Sequence, residues 1–202
     1  MAETFQVSVG EQGKIFVMHR DIATRHSSFF KAALSHDWKE AEEKKISLPD
    51  CEPEIFEGYL QWVYTGEVVY CSERYKQALE LVKLWILGDF LGDQNFCDAV
   101  VGGLWAQQVP ASPDAIKHLY NHTPHESHLR SHIFGIWACR ASITLVSCLF
   151  AANREYPKDF IIDLFGFLSA YGRVVDNPKW SAAPGAASAA YSYSTIVSDN
   201  EE

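Results

Sequence analysis

Two stretches decide the fold: "IFVMHRDIATRHSSFFKAAL", Ile15 to Leu34, and "ISLPDCEPEIFEGYLQWVYTGEV", Ile46 to Val68. The first begins as a β-rich run and changes character at Asp21, where short helical pieces follow. Ser27 stands as an N-cap before Phe29, Phe30 and Leu34. The second begins with Ile46 and Leu48 in alternation, a short strand that Pro49 and Asp50 end. An amphipathic helix then starts at Pro53, which suits a first helical turn because its missing N–H would have no partner there. Ile55, Phe56, Tyr59, Leu60 and Val63 share its apolar stripe, and Gly66 can close it.

Upstream, "TFQVSV" (Thr4–Val9) alternates, "GEQG" turns, and "KIFVMH" (Lys14–His19) follows, so the spacing predicts a hairpin. "GEVVY" (Gly66–Tyr70) is expected to add a short edge strand. Beyond Ser72 the pattern is helical: Ser72–Gly92, Asp93–Gln108, Ser112–Tyr120, one long or two abutting helices over Glu126–Ala151, and Tyr156–Tyr171. Asp89 and Asp93 flank "FLG" as a helix end and the next N-cap. Trp62, Trp85, Trp105 and Trp137 sit at helical spacing and are expected in the core. From about Asp176 the Ala/Ser-rich composition predicts a disordered tail.

These motifs, in this order, resemble the BTB/POZ family, and the later helices resemble those of short fungal-type members. The resemblance covers roughly Phe5 to Tyr70 and extends more weakly to Gln108. It implies an α+β BTB/POZ fold, a small sheet covered by helices, over residues 1–108, then an all-α helical extension over 109–175 and the tail over 176–202. Its implied function is protein–protein interaction without catalysis: self-association, and adaptor service on cullin scaffolds of ubiquitin ligases, or else a homo-oligomeric or transcription-related scaffold. Cullin-binding members often carry hydrophobic-x-Glu before the third strand, and Trp38-Lys39-Glu40 falls there, inside the charged stretch "SHDWKEAEEKK". The alternative is Trp38 lying on its own domain beside Phe30 or Phe56. A homodimer would use Ile22, Arg25 and Phe29 on the short helices. The Ser-Asp pair that often precedes the first strand in the family is replaced by Glu3-Thr4. Adaptors of this type usually add a substrate-reading domain such as kelch or MATH repeats. No such pattern is read here, which leaves the helical half for that task.

Composition bounds the partners. The chain has 202 residues, 48% hydrophobic, and a net charge of −9, which opposes phosphate-driven nucleic-acid binding. Cys51, Cys71, Cys97, Cys139 and Cys148 form no C-x-x-C, which suits reduced thiols in the cytoplasm or nucleus, and no apolar run is long enough for a membrane span. Five histidines, His118, His122, His125, His128 and His132, crowd one stretch. Two pairs have i, i+4 spacing, but H-E-x-x-H is absent and Pro124 separates them. They are read as exposed histidines, with a metal-dependent enzyme as the distant alternative, and no cofactor is expected.

Overall fold

The computed structural model describes residues 3–35, 44–70, 74–107, 111–139 and 155–175. The chain divides into two compact units, Met1–Gly103 and Leu104–Glu202.

The first unit opens with strands β1 (Thr4–Val9) and β2 (Lys14–His19), joined by a turn with Gly10 and Gly13 at positive φ. They pair antiparallel, with Val7 opposite Phe16. Strand β3 (Lys45–Leu48) adds in parallel to β1, giving the order β2-β1-β3. Alternation does the work here. Phe5, Val7 and Val9, with Met18, Ile46 and Leu48, are buried on one face of the sheet, while Thr4, Gln6, Ile15 and Val17 are exposed on the other.

Helices α1 (Arg20–His26) and α2 (Ser28–Ala33) follow β2, and α3 (Pro53–Thr65) follows β3. Ser27 caps α2, its hydroxyl accepting from the Phe30 amide at 3.1 Å. Gly66 closes α3 with φ of 73°, a left-handed conformation that glycine adopts without strain. Phe30 and Phe56 are fully buried, Phe30 5.5 Å from Phe5 and Phe56 5.1 Å from Phe16, ring centre to ring centre. Each such ring contributes about 2–3 kcal/mol through area removed from water. Helix α4 (Arg74–Leu91) buries Leu81, Val82, Leu84, Trp85, Leu87 and Leu91. Gly58 of α3 accommodates it closely, since a Cβ there would come within 2.9 Å of Leu84. Helix α5 (Gln94–Gln107) then begins on Asp93, whose Oδ1 accepts from the Phe96 amide at 3.0 Å.

One expected element differs. Glu67–Tyr70 make no strand; the Glu67 amide donates to the Thr65 hydroxyl instead, a local turn that diverts the chain. Of the four core tryptophans, Trp85 and Trp137 are buried, and Trp62 and Trp105 are half-buried.

The second unit holds α6 (Pro113–His122), α7 (His128–Cys139) and α8 (Lys158–Val175). Ser112 caps α6 through the Ala115 amide. Its core is Ile116, Leu119, Leu129, Ile133, Trp137, Phe160 and Leu164. Phe160 gathers the aromatics, with Tyr120 at 6.0 Å and Trp137 at 5.5 Å. The Ala/Ser-rich 176–202 tail lies outside the described residues.

Candidate interaction surfaces

The two short helices present the residues expected for self-association. Ile22 is half-buried, Arg25 is exposed, and Phe29 is half-buried. The residue that sequence reading missed is Phe90, 58% exposed at the end of α4, with its ring 5.1 Å from that of Phe29. Phe90 falls outside the buried stripe of its own helix, which is the signal that could have found it. An aromatic pair this open is the sort of side-chain cluster that anchors interfaces.

Behind this face, the α1–α2 junction is docked on the α4–α5 junction. Ser27 Oγ donates to the Leu91 carbonyl at 2.6 Å. Asp93, 1% exposed, accepts from the Tyr59 hydroxyl at 3.3 Å, and burial beside that carboxylate pushes the Tyr59 phenol far up. Burial likewise pushes the Cys97 thiol up to about 12 and the Cys51 thiol up to about 11. Both stay protonated near neutrality.

At the start of the sheet, Glu3 pairs with Arg20 at 2.9 Å and Lys44 at 3.1 Å. The hydrogen bond from Arg20, then that from Lys44, hold the Glu3 carboxyl below its usual range. Arg20 also donates to the Leu34 carbonyl at 2.7 Å. Glu3 thus ties the start of β1 to Arg20 and Lys44 at this edge. Trp38 and Glu40, expected as the cullin-type contact, lie outside the described residues.

In the second unit the histidine pairs stand on different helices. His118 and His122 stack on α6 at 4.1 Å, and His132 on α7 accepts from the Trp105 indole at 3.5 Å. His125, in the turn between them, lies 3.3 Å from Asp163. Among the described residues, no group of three or more His, Cys, Asp or Glu stands close enough to hold a metal ion. A cavity of about 570 Å³ is lined by Lys117, Tyr120, His125, Arg130, Asp159 and Asp163, among others. Arg130, Tyr120 and Asp163 in this lining satisfy one another. Arg130 lies over the Tyr120 ring at 3.9 Å, donates to Thr123 Oγ1 and the Thr123 carbonyl, and faces Asp163, which accepts from the Tyr120 hydroxyl at 2.8 Å. The arrangement staples α6 to α7 and α8. No helix among the described residues is long and apolar enough to cross a membrane.

The sheet order, the Ser27 cap, the Pro53-led helix and the aromatic core all fall inside one stretch, and a BTB/POZ domain model matches residues 4–92. These residues form a BTB/POZ domain. The chain is similar to Kelch-like protein 24 of Homo sapiens, 32% identical over 74 residues, covering 37% of this chain and 12% of the relative. Kelch-like protein 40 of Xenopus laevis is 35% identical over 74 residues, with the same coverage. Kelch repeat and BTB domain-containing protein 4 of Homo sapiens is 26% identical over 81 residues, 40% of this chain and 15% of the relative. The likeness therefore spans less than a fifth of these relatives' length.

Proposed function

We propose that the chain is a protein–protein interaction module, not an enzyme, that self-associates and serves as an adaptor on a cullin-type scaffold. The BTB/POZ match at residues 4–92 carries this reading. The open face supports it: Ile22, Arg25 and Phe29, extended by Phe90, offer apolar anchors around an exposed cation. Trp38 and Glu40 are the proposed cullin contact, the indole filling a pocket and the carboxylate accepting a charge-assisted hydrogen bond at its rim. The net charge of −9 argues for protein partners over nucleic acid, in the cytoplasm or nucleus.

Capture by an immobilised cullin N-terminal region tests the adaptor role, wild type against Trp38→Ala and Glu40→Lys. Retention of the wild type and loss of both variants is the expected result. A wild type that self-associates but is not retained would assign it as a homo-oligomeric scaffold with no ubiquitin role.

A further inference from the structure

Where the α1–α2 junction meets the α4–α5 junction, one polar atom is left over. His26 Nδ1 is buried and has no hydrogen-bond partner among the described residues. It points at Asp93 Oδ2 from 3.7 Å, just beyond hydrogen-bonding distance. The carboxylate is 1% exposed, and its Oδ2 holds a 3.3 Å bond from Tyr59. The imidazole keeps 26% of its side-chain surface exposed, so a proton can reach it from water.

We propose that His26 and Asp93 form a proton-operated latch that tightens the docking of α1–α2 against the α4–α5 junction. A buried carboxylate is costly unless a charge partner or good donors satisfy it. Taking up a proton gives His26 a second N–H and a positive charge, and a small closure turns the 3.7 Å approach into a charge-assisted bond. The charge sits in the last turn of α1, where the helix dipole favours a cation. The groups around it leave this pair to act. Tyr59, on α3, and Cys97, on α5, are held neutral by burial, Ser27 is committed to the Leu91 carbonyl, and Arg25 beside His26 is exposed to water.

The backbone makes the dock responsive. Gly92 has φ of 65°, and a Cβ there would meet Ser28 Oγ, so the first turn of α2 rests directly on the α4–α5 turn. Movement at this contact passes into α1 and α2, which carry Ile22, Arg25 and Phe29. The sign follows from the charge. The latch is present while the imidazole holds its proton and is lost as rising pH removes it.

Amide hydrogen exchange over Ser27–Leu34 in the full chain, corrected for intrinsic rates, tests the latch. Wild type and His26→Gln are compared at about pH 5.5 and about pH 8, either side of the usual imidazole titration. Protection in the wild type should exceed that in His26→Gln by about tenfold at the lower pH and by little at the higher. Asp93→Asn, which keeps the helix cap, should show the same loss of pH dependence. A wild-type advantage that is equal at both pH values, or a pH dependence that survives in His26→Gln, overturns the proposal.

Discussion

Ser27 Oγ donates to the carbonyl of Leu91 at 2.6 Å, across 64 residues of chain, while accepting from the Phe30 amide. One buried hydroxyl therefore caps α2 and satisfies the last turn of α4. Ser27→Ala removes both bonds and leaves a buried carbonyl without its donor. The expected cost is about 2 kcal/mol, read as a lower urea midpoint with unchanged slope.

Gly92 and Gly66 share a left-handed backbone but not a neighbourhood. An alanine Cβ at Gly92 would run into Ser28 Oγ, whereas nothing lies within 4 Å of one at Gly66. Gly66→Ala should cost about 1 kcal/mol, the strain of the backbone alone. Gly92→Ala should cost about 2–3 kcal/mol, strain plus displacement of α2. Thermal unfolding of the two variants side by side checks the difference.

Two thiols give a pH-dependent expectation. Cys97 is pushed up to about 12 and Cys51 up to about 11, both chiefly by burial. A group raised on folding contributes stability that is fully present below its unfolded value, about 8.5 for a thiol, and lost as pH rises through the folded value. Stability should therefore fall from about pH 9 upward. Alkylation near neutrality, mapped by mass spectrometry, should spare buried Cys97 in the native chain and label it once the chain is unfolded in denaturant.

Much of the first unit was legible in the sequence because its signals are local. The alternation in "TFQVSV", the serine before Phe29-Phe30, Pro53 and Gly66 each act within a few residues, and each became the element it announced. Asp93 likewise became the N-cap its position suggested. What the sequence withheld is long-range. Nothing local says that Phe90 packs against Phe29, that Ser27 reaches Leu91, or that His26 faces Asp93. The edge strand expected at "GEVVY" fails for a related reason: β-rich composition makes a strand only where a neighbour offers a ladder, and the three-stranded sheet closes without it. Trp38 and Glu40 rest on motif position alone.

The central claim is that the α1–α2 face mediates self-association. Sedimentation velocity of the full chain over a range of concentrations tests it most directly. The account predicts a species of twice the 22.8 kDa chain mass, dissociating on dilution, and conversion to monomer in Phe29→Asp and in Phe90→Asp with folding intact by circular dichroism. A wild type that stays monomeric at every concentration, or a dimer that both variants preserve, would contradict it.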